Sequence, residues 1–161
     1  MCLTINEIHR DKNDKKHFIP YVSDVDVLVI KYMSAIYNDR FDIDLRWRYT
    51  PCVGVPVKIR KGIGVIKSGA NFKNRVKPIV GKGVHAIYDM DKFPNKEHYI
   101  LASYYPVFGY IPSGTRFFFG EVGDIVAEKI VILEPSKYKE YSKDNVMVEA
   151  KEIFKNISKK A

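Results

Sequence analysis

Four side chains in this 161-residue chain have types and settings that could do covalent or acid–base chemistry: Cys2, His85, Glu121 and Glu128. Removal of Met1 ahead of a small residue would leave Cys2 with a free α-amine beside its thiol, a pairing able to serve as nucleophile and base together. Such catalysis also needs an oxyanion donor and an orienting partner, and the sequence identifies neither. The competing reading is a small buried thiol in an N-terminal strand, since free cysteine is among the most buried residue types. Cys52 follows Pro51 in a turn-like stretch and is the lesser candidate. His85 sits in Gly83-Val84-His85-Ala86-Ile87-Tyr88, where a strand histidine satisfied by hydrogen bonds competes with a catalytic one. The four histidines, at 9, 17, 85 and 98, and the two distant cysteines match no zinc spacing, so no metal site is expected. Gly62-Ile63-Gly64, Gly81-Lys82-Gly83 and Gly120 to Gly123 lack the second half of any phosphate-cradling motif and run into no clear helix. They read as turns, and no cofactor is expected.

Charge points to binding instead. The net charge is +8, yet the chain from Leu45 to Tyr88 contains no Asp or Glu. It carries Arg46, Arg48, Lys58, Arg60, Lys61, Lys67, Lys73, Arg75, Lys77 and Lys82. Those ten of the 27 basic residues leave 17 against 19 acidic ones elsewhere, a net of −2, so the whole excess lies in one segment. A one-signed segment creates a local positive potential that attracts anions: nucleic-acid phosphates, a nucleotide or an acidic protein surface. Trp47, Tyr49 and Phe72 lie within it, as stacking on bases would require. The alternative is a solvated outer sheet face with a mobile loop, and turns dilute the charge instead of gathering it on one helix.

The elements that must position these residues are mostly strands. Apolar residues make up 46% of the chain and aromatic ones 13%, with 11 Tyr and 9 Phe, a mix that suits pleated, half-buried surfaces. The length fits one domain, 1–161, better than two. No apolar run approaches the roughly 18 residues of a membrane span, so no membrane partner is expected. The N-terminus lacks the apolar core of a secretory signal, and two cysteines are too few for a disulfide scaffold. The expected setting is the reducing cytoplasm of a bacterium or an infected cell.

Strands are predicted at Leu3 to Ile8, at Val25 to Tyr32 with an extension towards Ile36, and at Phe41 to Tyr49, whose period-two alternation marks one wet face. Pro56 makes Val55 to Ile59 an edge strand or one that starts after the proline. Residues 58–83 read as a mobile basic loop region with a short strand at Val65-Ile66. Further strands are predicted at Val84 to Tyr88, at His98 to Val107 with Pro106 kinking or ending it, at Thr115 to Phe119 and at Ile125 to Leu133. Ile111-Pro112-Ser113-Gly114 has the composition of a β-turn with proline at its second position. In Phe117-Phe118-Phe119, alternation should turn one ring outward or into an interface, which would allow self-association or docking on a larger assembly. A helix is predicted over Lys143 to Ser158, with Ala150, Ile153, Phe154 and Ile157 on one apolar stripe. The expected class is α+β: a dominant antiparallel or mixed sheet with a C-terminal amphipathic helix.

Several short motifs, taken in order, resemble a group of small uncharacterised proteins of bacteriophages and phage-bearing gut bacteria. They are Met1-Cys2-Leu3-Thr4, Tyr49-Thr50-Pro51 with Gly54, Gly83-Val84-His85-Ala86, Ile111 to Thr115 leading into Phe118 and Gly120, and the strand after Asp124. They span residue 1 to about 133 and leave the terminal helix outside. The resemblance implies a phage or mobile-element setting, where small basic proteins serve as virion components, host-takeover factors or defence antagonists. It implies no activity. The segment around His85, followed by a turn and a long strand, also resembles the nucleotide-pocket half of ADP-ribosyltransferase-like folds. There a His or Arg contacts the nicotinamide nucleotide and a later Glu, here Glu121 or Glu128, orients the ribose. The first strand offers Lys31 where that family has His or Arg. The expectation is a binding protein, more readily than an enzyme, that engages an anionic partner through residues 45–88; a nucleotide-using transferase and a virion structural protein are the alternatives.

Overall fold

Asp26–Tyr37, rich in β-branched and aromatic residues, forms a 12-residue strand, β3, around which the rest is organised. The computed structural model describes residues 3–37, 43–47, 56–58, 63–93, 105–133 and 147–160. In chain order the strands are β1 (Leu3–Thr4), β2 (Tyr21–Val22), β3, β4 (Ile43–Trp47), β5 (Pro56–Lys58), β6 (Ile63–Lys67), β7 (Ile79–Val80), β8 (Val84–Ile87), β9 (Tyr105–Ile111), β10 (Arg116–Phe119), β11 (Asp124–Ala127), β12 (Lys129–Leu133) and β13 (Met147–Glu149). The helix α1 spans Ala150–Lys160.

One edge of β3 pairs antiparallel with β9 from Val27↔Ile111 to Met33↔Tyr105. The opposite edge is shared in succession by β13, parallel over Asp26 to Leu28, by β8 at Ile30↔Ile87, and by β4 over Met33 to Tyr37. The main sheet runs β2-β10-β11-β8-β3-β9-β12-β6. Period-two alternation puts Val27, Val29, Val107, Ile111, Ile130 and Ile132 on one face. Ala86, Ile125, Phe117 and Phe119 continue that face, and Ala150 and Ile153 of α1 join the same buried cluster. The expected helix stripe therefore does cover a sheet face.

The opposite face of β8, β11 and β10 is covered as well. Leu3, Ile5, Phe18, Phe72 and Val80 pack there on Phe118 and Val126. Two layers thus sandwich the aromatic triplet, and Phe117, Phe118 and Phe119 are all 0% exposed. The expected outward-facing ring does not exist, because the N-terminal segment supplies a second cover.

Other departures have local causes. Ile125 to Leu133 is two strands, broken at Glu128, whose N–H turns to the Arg116 carbonyl at 3.2 Å. The chain thereby crosses from β8 and β10 to β9 and β6. The helix begins at Ala150, not Lys143, because Met147 to Glu149 pair with β3. Residues 143–146, 41–42 and 48–49 lie outside the described residues, as does 98–104 of the expected long strand. β9 runs on through Pro106; β12 meets it at Gly109 and Tyr110 only, so at Pro106 no described outer neighbour calls for an N–H. At the N-terminus only Leu3 and Thr4 are strand, and Glu7–His9 is a 3₁₀ turn capped by Asn6. The expected turn is present one residue later: Thr115 N–H donates to Pro112 O at 3.1 Å, with Gly114 at φ 80° in the third position. Gly64 lies in β6 opposite Ile132 and not in a turn. No helix among the described residues is long and apolar enough to cross a membrane.

Candidate anion-binding layer

Residues 3–20 and 68–82 form the cover over Phe118, and they bring two basic stretches together. A tight loop at 11–17 is closed by Asp11 N–H to His17 O at 2.8 Å, while the Asp11 and Asp14 carboxylates accept from the Asn13 and Lys16 amides. Phe18 then bridges two neighbours: Arg10 on one side and Arg75 on the other. Phe18 and Arg75 exchange both backbone hydrogen bonds, at 2.7 and 3.0 Å. Lys12, Lys15 and Lys16 are thus carried alongside the loop holding Lys73 and Lys77, and all five are exposed. Sequence reasoning missed the first three because Asp11 and Asp14 mask them in a linear charge count. The available signal was Phe18-Ile19-Pro20, an apolar anchor directly after a charged loop.

The arginines in this region are committed to the fold. Arg10 bonds both Glu7 oxygens, donates to Lys15 O and lies 4.4 Å over the Phe18 ring. That hydrogen bond lowers the Glu7 pKa and raises that of Arg10. Arg75 donates to Lys77 O at 2.9 Å and Ile79 O at 2.8 Å. Arg116 bonds Glu128 at 3.2 Å and Asn71 at 2.5 Å. Lysines are left as the outward cations: Lys67, Lys73, Lys77 and Lys82 of the acid-free stretch are exposed. Arg46 and Lys58 occupy β4 and β5, opposite Pro56 and Asp44 respectively. Arg48, Arg60, Lys61, Tyr49 and both cysteines lie outside the described residues. Phe72 is 5% exposed and packs on Phe118 with ring centres 5.3 Å apart, so it presents no face to a base.

The described catalytic candidates, His85, Glu121 and Glu128, each hold a different set of partners. His85 is 2% exposed on the Phe118 side of β8, with Nε2 donating to Gly81 O at 2.8 Å. Burial takes its pKa down to about 4, against the opposing hydrogen bond to Gly81, and the Lys31 charge lowers it further. Glu128 holds the 68–72 loop: one oxygen accepts from Phe72 N–H at 2.9 Å, the other from Arg116. Glu121 is exposed in the turn after β10, its N–H on Thr4 O. Lys31 is fully buried, and its Nζ donates to His85 O at 2.5 Å, just before β8 joins the β3 ladder at Ile87. Burial holds its pKa well below the usual lysine range. A depression of about 160 Å³, floored by Ile30, Ile87 and Phe108, and an open one of about 350 Å³, walled by Ile8, His9, Ile19 and Ile157, both exclude His85, Glu121 and Glu128. Among the described residues no group of three or more His, Cys, Asp or Glu is placed to hold a metal ion.

Sequence reasoning also missed His9, which is 5% exposed. Its Nε2 accepts from Phe119 N–H at 2.8 Å, so the ring proton sits on Nδ1 and is donated to Ile19 O at 2.9 Å. Burial takes this pKa to about 4 also, opposed by the Ile19 hydrogen bond. A partner 110 residues away left no local signal.

Compared with protein-family models, with curated proteins and with solved structures, the chain matches none.

Proposed function

We propose that the protein is a non-enzymatic binding protein that engages the phosphate backbone of nucleic acid through the lysines of the 10–18 and 67–82 segments, without reading sequence. The observation that carries this is the Arg10–Phe18–Arg75 bridging, which sets two lysine-bearing loops side by side. Lysine is a compact point charge, suited to phosphate attraction, while the guanidinium forks of Arg10, Arg75 and Arg116 in this layer are spent on Glu7, Glu128, Asn71 and backbone carbonyls. The buried Phe72 leaves sequence-tolerant stacking unsupported on this layer. A phage setting, which the sequence motifs resemble, is one in which such a protein would meet abundant nucleic acid.

The test is a salt titration of affinity for unrelated duplex and single-stranded oligonucleotides. Affinity should fall steeply between low and moderate salt and should differ little among sequences. Lys15→Glu with Lys16→Glu, or Lys73→Glu with Lys77→Glu, should weaken all ligands alike and reduce the salt slope by about 1 for each phosphate no longer neutralised. An affinity that barely responds to salt, or paired reversals that bind like the parent, would overturn the reading.

A further inference from the structure

We infer that Arg75 and His85 guard the outer edge of β7, keeping it from pairing with a second copy of this chain. β1 and β7 are antiparallel, with Leu3 opposite Val80 and Thr4 opposite Ile79. Ile5 N–H donates to Pro78 O at 2.7 Å in the same register. Alternate residues of an antiparallel strand face the same neighbour, so Pro78 and Val80 face β1, while Lys77, Ile79 and Gly81 turn their backbone groups outward. The far side of β1 is occupied, since Glu121 N–H donates to Thr4 O and Asn6 N–H to Phe119 O. β7 is therefore the outermost strand of this layer among the described residues.

All three outward carbonyls carry a side-chain donor. Arg75 Nε serves Lys77 O at 2.9 Å, Arg75 Nη2 serves Ile79 O at 2.8 Å, and His85 Nε2 serves Gly81 O at 2.8 Å. This is a row of acceptors that a neighbouring strand would otherwise satisfy, on an edge whose side chains invite one. Val76 is 58% exposed and Ile79 54%, both β-branched. A second copy fits such an edge best, because two identical apolar edges can pair through their own N–H and C=O groups. Lys77 and Lys82 add like charge against that approach. The two residues that looked like an anion ligand and a nucleotide-contacting histidine thus complete a strand edge.

Arg75→Ala uncaps two carbonyls at once. Sedimentation of this variant without nucleic acid should show a concentration-dependent shift to dimers or larger species that the parent does not show over the same range. Adding Ile79→Pro removes the outward N–H at that position and should restore the parent's mass. Retained hydrogen-exchange protection of the Phe119 amide establishes that the layer is folded. If Arg75→Ala loses that protection, Arg75→Lys decides: with one donor group for two carbonyls, it should associate more than the parent. A folded variant that keeps the parent's mass at every concentration, or association that persists with Ile79→Pro, overturns the inference. Neither outcome bears on nucleic-acid binding, which is absent from the experiment.

Discussion

Acidification should unfold this protein by a route that two buried histidines set. His9 is neutral because its Nε2 must accept the Phe119 N–H, and protonation would break that bond and bury a charge. His85 is buried beside the Lys31 charge. Both have folded-state pKa values of about 4 against 6.5 unfolded. The sign follows: as pH falls below 6.5 the unfolded chain takes up protons that the folded chain refuses, so stability is lost. Between pH 7 and 5 each histidine should cost about 2 kcal/mol, approaching roughly 3 kcal/mol by pH 4. Two together approach half of a typical total of about 5–15 kcal/mol. The assay is the urea midpoint at half-unit pH steps from 7 to 5, with His9→Gln and His85→Gln measured alongside. Glutamine can donate and accept at position 9 without titrating, so His9→Gln should lose some stability at pH 7 yet show a shallower pH slope than the parent, to which buried Lys31 also contributes. Burial raises the Asp124 pKa, which acts in the opposite direction, so the difference between parent and variant is the decisive quantity. A flat midpoint from pH 7 to 5, or variants with the parent's slope, would refute the reasoning.

Lys31→Met should remove the rise in stability that the parent shows on going from pH 8 towards 10, where the unfolded lysine finally releases its proton; denaturant midpoints check it. Gly120→Ala would place a methyl carbon 1.8 Å from Asp124 Oδ1 and 3.0 Å from Leu3 Cδ1. A loss of about 2–3 kcal/mol is expected by chemical denaturation. Phe118→Ala should cost about 3–5 kcal/mol, because its ring joins the sheet to the 3–20 and 68–82 cover. Glu128→Gln removes one of the two anchors on Phe72 N–H and Arg116, so the Phe72 amide should exchange faster and trypsin should cut sooner at Lys73.

Patterns short enough to lie within one strand were visible in the residues. β3, β4, the turn before Thr115 and the apolar stripe of α1 could each be found from local alternation or turn chemistry. What escaped depends on pairing at a distance. Met147 to Glu149 are a strand because β3 has a free edge there, and nothing in those three residues requires it. Ile125 to Leu133 looks continuous because only Glu128-Lys129 interrupts the apolar run, yet that charged pair marks the crossing. The buried outer face of the Phe triplet depended on Phe18 and Phe72, which approach it from segments more than 40 residues away in the chain. The charge bias was visible, but its partner loop at 12–16 was not, since only the Phe18 bridge makes the two adjacent.

Two residues that first looked catalytic, His85 and Glu128, share a physical task with His9, Lys31 and Arg75. Wherever a ladder of this sheet ends or splays, a backbone group would be left buried without a partner, at a cost of about 1–3 kcal/mol each. His9 closes Phe119 N–H and Ile19 O, Lys31 closes His85 O, His85 closes Gly81 O, and Glu128 closes Phe72 N–H. Arg75 closes two more on the exposed edge of β7, where water is the alternative partner. These are long or ring side chains able to reach a backbone atom across a gap, which is also what makes them useful in active sites. Here their polar ends meet backbone, and the two depressions exclude His85 and Glu128. A glutamine at 85 that conserves the hydrogen bond should therefore preserve any nucleic-acid affinity, whereas charge reversal at Lys15, Lys16, Lys73 or Lys77 should not. Equal loss in both sets would mean that the buried polar groups, and not the lysine layer, carry the function.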